Sequence, residues 1–284
     1  VMYALKVFYD GRDYSGSQLQ PEVPTVQGEI IRALKKQGIN AKTMIASRTD
    51  SGVSALSQVV AVLTREINIM KLNYDLPDDI WVWAWTRTES FNPRHTQEKE
   101  YIYVLPYRVK NIDLVRKALK LFEGEHDFTS LSSRDDRSKI LTLKSAAYYE
   151  DTMNDYGYLC FRAGHFLYHM VRKLASAVMM VDAGELSPEQ IKDALNGKIY
   201  IRIHAALPYN LFLARIYYNR PDLFWIVEDQ ILDEIKNYLR SQEYKHRNGY
   251  VFMNAFQGIV SLFRGRTAQD LYTPSSTLRE RWVV

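Results

Sequence analysis

An α+β fold in two halves, each with a mixed or antiparallel sheet and the second followed by a helical extension, is what this sequence of 284 residues predicts. Three observations carry that expectation. Apolar runs with strand-like alternation interleave with segments of helical spacing up to about residue 219. The strands mostly neighbour helices of their own half, which fits a mixed or antiparallel sheet better than a doubly wound parallel one. From Arg220 the texture changes to helical spacing.

Taken in order, residues 3–9 (YALKVFY) end at Asp10-Gly11 and predict a strand closed by a turn. Pro24 and Thr25 open a helix with apolar positions Val26, Ile30, Ala33 and Leu34, Thr25 as its N-cap and Gly38 as its stop. Strands are expected at 42–46, 57–64, 80–86 and 99–107, with a short helical piece near 67–75. Trp81, Trp83 and Trp85 alternate, so they are expected to share one face of their strand, as core. The second half opens with a helix over about 113–123, then strands at 140–150 and 156–163 and a long helix over about 165–182. Ser187 to Gln190 have capping-box spacing with Pro188 at the first helical position, so a helix starts there and buries Ile191, Ala194 and Leu195. A strand at 211–218 closes this half. Beyond it Phe224, Val227, Ile231, Ile235 and Leu239 have helical spacing, and a second apolar segment runs over 250–263. The domains expected are therefore 1–105, 106–219 and a helical extension over 220–284.

Composition bounds the function classes. With 46% hydrophobic and 25% charged residues the chain is globular, and a net charge of +4 permits a nucleic-acid partner without requiring one. The extension holds nine basic and eight acidic residues, so it is no basic tail. Cys160 is the single cysteine, which excludes a disulfide within the chain and a cysteine-based zinc site. No signal peptide and no membrane-spanning run is read, and a cytoplasmic protein is expected. There is neither a G-x-x-x-x-G-K-[ST] nor a G-x-G-x-x-G motif, so nucleotide-dependent chemistry has no support. His165 and His169 have the spacing of a metal-binding helix pair but lack the following glutamate and a third ligand, so no metal is expected. What remains is carboxylate chemistry at Asp50, in the stretch ASRTDSGVSALSQVVAV. Alternation on an extended backbone lets Arg48 and Asp50 share a space while Thr49 points away, and the arginine keeps the carboxylate ionised. A plain surface turn explains Asp-Ser-Gly equally well.

The segment SRTDSGVSA resembles the GRTDAGVHA motif of the TruA family of tRNA pseudouridine synthases. Other segments follow in the family order: YDGRDYSGSQLQ is similar to YDGxxYxGWQxQ, VPTVQGEIIRAL to its T-V-Q helix, LNYDLPDDIWV to LNxxLPxDIxV, and FNPRHTQEKEYIY to FxxRxxxxxxxYxY. EGEHDFTSL resembles xGxHDFxxF, HFLYHMVRKLASAVMMVDAGELSP the family's F-L-x-x-M-V-R helix segment, and YNLFLARIYY the terminal xGLYLxxVxY. Together they span about residues 3–218.

The resemblance implies an enzyme that isomerises uridine to pseudouridine in the anticodon arm of tRNA, without a cofactor, usually as a homodimer. It implies two RRM-like (ferredoxin-like) α+β domains with joined sheets and a cleft between them. The family's catalytic aspartate maps to Asp50, attacking either the base or the sugar; Arg48 maps to the arginine that holds the nucleotide flipped. Tyr101 is expected to stack on the flipped base and Arg172 to pair with Asp50, where the residues alone would also allow a core tyrosine and a snorkelling arginine. Leu211 matches the apolar residue under the base, and Gln18, Thr49, Gly52, Arg94, Lys99 and His169 are further candidates for substrate contact. Ser17, Ser47, Ser51, Ser54, Glu100 and Asn210 depart from the bacterial pattern without removing a catalytic position, which suggests an archaeal or divergent member. Two other readings stand beside this one: an RNA-binding module without catalysis on the same scaffold, and a metal-dependent nuclease using Asp50, which has too few carboxylates near it in sequence.

Overall fold

The computed structural model describes residues 1–133, 138–152 and 155–245. Two compact units emerge among the described residues, one holding residues 1–97 and 212–245, the other residues 98–211. In chain order the first unit forms β1 (Met2–Tyr9), α1 (Val26–Lys36), β2 (Thr43–Ile45), β3 (Ser54–Leu63), α2 (Ile69–Asp75) and β4 (Ile80–Thr88). The second forms β5 (Glu98–Leu105), α3 (Ile112–Phe122), β6 (Gly124–Asp127), β7 (Ile140–Asp151), β8 (Tyr156–Ala163), α4 (Met170–Asp182) and α5 (Pro188–Leu195). The chain then continues through β9 (Leu211–Tyr217), β10 (Ile226–Val227) and α6 (Asp229–Lys245). The fold is mixed α+β with mostly antiparallel pairing. The strand expected at 99–107 groups with the second unit, and the described part of the extension, residues 220–245, groups with the first.

In the first unit β1 pairs antiparallel with β3 on one side and β4 on the other. Every residue from Tyr3 to Tyr9 is buried, including Lys6, which is why a strand so apolar on both faces sits at the centre. β2 adds to β3 antiparallel, whereas β9 pairs with β3 in parallel through Ser54 with Phe212 and Ala55 with Leu213. A parallel pair cannot be closed by a hairpin, and the connection here includes all of residues 98–211. β10 pairs with β4, and the Glu228 amide donates to Trp83 O at 2.9 Å. The extension thus covers a sheet edge that would otherwise present unpaired backbone.

The tryptophan stripe is not as expected. The β1–β4 register shifts between Lys6 and Val7, so Trp81 stands opposite Phe8 and Trp85 opposite Leu5. Leu5 and Phe8 are three apart on a strand, hence on opposite faces, and the bulge at Trp83 is what divides the set. Trp83 is fully buried and donates its indole N–H to Leu56 O.

In the second unit β5, β8, β7 and β6 pair antiparallel in that spatial order. α3 packs on β7 and against α4 and α5. The caps read from the sequence are present: Thr25 Oγ1 accepts from the Gly28 amide at 3.2 Å, and Ser187 and Gln190 form a reciprocal capping box. The long helix does not start at residue 165. His169 takes a left-handed φ of 58° and serves as N-cap to α4, so His165 and His169 lie on no common helix and their spacing loses its metal-binding meaning. In the extension Phe224 and Val227 precede α6 rather than belong to it, and Phe224 is exposed. Ile231, Leu232, Ile235 and Leu239 are buried within the described chain, so this stripe is spent on the chain itself and not offered to a partner. The apolar segment at 250–263 lies outside the described residues. Among the described residues no helix is long and apolar enough to cross a membrane.

Candidate active site

The stretch around Asp50 is a loop between β2 and β3 in the first unit, and its backbone is tied down on two sides. From β3, buried Gln58 accepts from the Ser47 amide at 3.1 Å and donates to Ser47 O at 2.7 Å. From the N-terminal loop, Ser17 donates its amide to Thr49 O at 3.2 Å, accepts from the Thr49 amide on Oγ at 2.8 Å, and donates that hydroxyl to Ser47 O at 3.3 Å. Ser17 stands where the family pattern has tryptophan; at 1% exposure its hydroxyl serves as a post for the loop. Thr49 faces inward, its hydroxyl 2.7 Å from the Tyr9 phenol, while Arg48 is exposed and Asp50 half-buried. Burial pushes Tyr9 up to about 12, partly offset by hydrogen bonds from Thr49, Gln58 and Ser17, so it stays a neutral hydrogen-bonding group.

The far side of the loop closes on Gly52, whose φ of 83° suits glycine. Its amide donates to Tyr14 O at 3.3 Å, Ser51 Oγ donates to the same carbonyl at 3.1 Å, and the Val53 amide donates to Asp50 O at 3.1 Å. Two glycines let the N-terminal loop press against this one. A Cβ on Gly11 would lie 1.9 Å from Val53 O, and one on Gly16 would lie 2.8 Å from Thr49 O. Gly11→Ala is therefore expected to destabilise the protein by about 1–3 kcal/mol through forced backbone displacement, read as a lowered denaturation midpoint. Sequence reasoning found Arg48, Thr49, Asp50 and Gly52 but missed this frame of Tyr9, Gly11, Gly16, Ser17 and Gln58; the paired glycines of DGRDYSGS were the available signal. Gln18 is half-buried beside Ser17. Arg94 is exposed in a turn of the same unit, where its amide donates to Asn92 Oδ1 at 3.0 Å.

The remaining candidates belong to the second unit. Tyr101 lies on β5, 7% exposed, with its ring edge-on to Phe166 at 5.2 Å. Arg172 is in the first turn of α4, half-buried; its Nε donates to Ala206 O at 2.6 Å while the Ala206 amide donates to Arg172 O at 3.1 Å. That exchange fixes where the guanidinium leaves the helix, so the side chain does not simply snorkel. Burial pushes the nearby Tyr103 phenol up to about 12, an effect that the Arg172 charge opposes. His169 is stacked on Tyr168 at 3.8 Å and lies 3.0 Å from Ser133 Oγ through Nδ1. Lys99 is half-buried on β5. Neighbouring Glu98 forms ion pairs with Lys144 and Arg162. Leu211, 5% exposed, opens β9 directly after Asn210, whose side chain donates to Val104 O at 2.9 Å. A half-buried carboxylate on a rigid, doubly braced loop is a geometry suited to nucleophilic attack, because its position costs no ordering at the moment of reaction.

The sequence model of the family described as tRNA pseudouridine synthase matches residues 118–219. The protein named tRNA pseudouridine synthase A from Archaeoglobus fulgidus is 32% identical over 270 residues, which cover 92% of this chain and 97% of that protein. Its namesake from Methanothermobacter thermautotrophicus is 36% identical over 76% of this chain and 80% of its own length. The one from Pyrococcus furiosus is 38% identical over 69% and 74%. Among solved structures, one titled "Crystal Structure of a Cbf5-Nop10-Gar1 Complex" aligns at a TM-score of 0.37 and 15% identity; the chain covers 49% of its length, and the likeness is too slight to argue from. Identity of this level along nearly the whole of a relative means that the chain belongs to the tRNA pseudouridine synthase A family.

Proposed function

We propose that this chain converts uridine to pseudouridine in the anticodon arm of tRNA, among residues thirty-eight to forty. The observation that supports this most directly is the braced loop that presents Asp50 beside exposed Arg48, within a chain of the synthase family. The reaction breaks the glycosidic bond from sugar C1′ to base N1, turns the base, and joins C1′ to C5. The hydrogen at C5 leaves as a proton and N1 gains one, so no redox partner enters the balance. A base cannot turn over while stacked in a helix, so the nucleotide is first flipped out, at a cost of a few kcal/mol that binding offsets. In this reading Asp50 attacks, Arg48 holds the flipped nucleotide, Tyr101 stacks on the base, Arg172 pairs with the carboxylate and Leu211 packs beneath the base. Gln18, Arg94, Lys99 and His169 contribute to holding RNA, while buried Thr49 and Gly52 act through the shape of the loop. The finer architecture proposed is two RRM-like domains with joined sheets and the active site in the cleft, in a cytoplasmic homodimer.

The test is tritium release from an unmodified tRNA transcript labelled at uridine C5, in the presence of EDTA. Release is the expected result. Tight binding without release on several tRNAs would replace the enzyme with an RNA-binding module, and release abolished by EDTA would point to a metal-dependent reaction. Because phosphate contacts release counterions, tRNA affinity is expected to fall at least about tenfold between 50 and 200 mM salt. A flat salt response in a filter-binding titration would contradict that.

A further inference from the structure

We propose that helix α6 of the C-terminal extension is a positioning element for the Asp50 loop, acting through Asp10 and Arg12; this rests on the catalytic reading of Asp50. Tyr238 and Gln242 are four apart and so lie on one face of α6. Each makes a polar bond to the turn that follows β1. The Tyr238 hydroxyl donates to Asp10 Oδ2 at 3.0 Å, and Arg12 Nη2 donates to Gln242 Oε1 at 3.0 Å. Arg12 joins the two contacts, since its Nε donates to both Asp10 oxygens at 2.9 and 3.0 Å, and its own amide donates to Asp10 Oδ1 at 3.2 Å. Asp10 is only 6% exposed, so this carboxylate is held among groups that leave it little freedom.

From Asp10 the path to the catalytic loop is one residue long. The Gly11 amide donates to Ser54 Oγ at 2.9 Å, and Gly11 lies flat against Val53 O. Three residues further on, Tyr14 O accepts from the Gly52 amide and from Ser51 Oγ, the two residues that follow Asp50. Tyr14 is itself anchored through its hydroxyl to Asp79 at 2.6 Å, while the Asp10 amide donates to Asp79 O. The helix therefore grips the N-terminal loop at the point from which that loop grips the Asp50 turn. Its buried stripe of Ile231, Leu232, Ile235 and Leu239 would hold α6 on the unit without these bonds. The bonds add direction, which an apolar contact cannot supply.

The experiment uses the full chain with Tyr238→Phe and the double variant Tyr238→Phe/Gln242→Ala. Single-turnover tritium release at saturating tRNA is expected to slow about tenfold in the double variant, the equivalent of one lost hydrogen bond. The tRNA dissociation constant should stay within about twofold, since the change is to positioning rather than to ground-state binding. Amide exchange at Gly52 and Val53 should quicken in the same variant. Glu228→Ala is the comparator: it removes the acceptor of the Trp85 indole N–H elsewhere on the extension and should lower the melting temperature without altering the rate. An unchanged rate in the double variant, or a rate loss that tracks melting temperature equally in Glu228→Ala, overturns the proposal. If the double variant does not fold, Tyr238→Phe alone, which deletes one oxygen atom, carries the same comparison. If wild type releases no tritium the catalytic reading fails on its own. The exchange at Gly52 and Val53 then decides whether α6 holds the loop.

Discussion

Asp50→Asn is expected to abolish tritium release, by on the order of 10⁴-fold or more, while tRNA binding stays within a few-fold of wild type. Asparagine has nearly the volume of aspartate and keeps a hydrogen-bonding oxygen, but it has neither the charge nor the nucleophilicity. The backbone of the loop has several holds that do not involve that side chain. It is held by Gln58 at Ser47, by Ser17 at Thr49, and by Tyr14 at Gly52, and the Asp50 contact to the Val53 amide uses the main-chain oxygen. Lost activity with binding retained would therefore be a loss of chemistry. Pseudouridine formed by Asp50→Asn at more than about a hundredth of the wild-type rate would move the reacting group elsewhere, and a parallel collapse of binding would make Asp50 an RNA contact.

What the sequence made legible was whatever depends on neighbours along the chain. The Thr25 and Ser187 caps, the stripe of α1 and the turn at Asp10-Gly11 are local choices of residue with local consequences, and they stand where they were read. The start of α4 was not legible, because the apolar run from residue 165 has helical spacing on both sides of His169 and nothing in it announces a left-handed residue there. The tryptophan alternation failed for a related reason: a bulge is fixed by pairing with β1, and no period of two can report an inserted residue. The four residues of β6 and the two of β10 are too short to have a period. At the candidate site the same line divides success from failure. Arg48, Thr49 and Asp50 were visible as a motif, whereas Ser17, Tyr9 and Gln58 reach the loop from 32, 40 and 11 positions away. The grip of α6 on Asp10, across 228 positions, had no sequence signal at all.

Lys6→Met is expected to stabilise the protein, and by an amount that depends on pH. Lys6 points from the central strand into the first unit with its ammonium over the rings of Trp83 and Trp225, at 5.4 and 4.7 Å, and beside the charge of Arg215. Burial first, and the Arg215 charge second, lower it from its ordinary 10.5 to about 7. Below about pH 7 both the folded and the unfolded chain carry the proton, so folding bears the full cost of a buried charge. Between about 7 and 10.5 the unfolded chain holds a proton that the folded chain has released, so stability rises with pH across that window and the cost is gone above it. The gain from methionine, which keeps the length and removes the charge, should thus be largest at pH 6, roughly 1–4 kcal/mol by analogy with buried ionic groups replaced by apolar ones, and should shrink towards pH 10. Urea denaturation of both proteins at several pH values measures it. A gain that does not vary with pH would mean that Lys6 is not the group carrying the cost, and a loss at every pH would mean that its contacts with the two indoles outweigh burial of the charge.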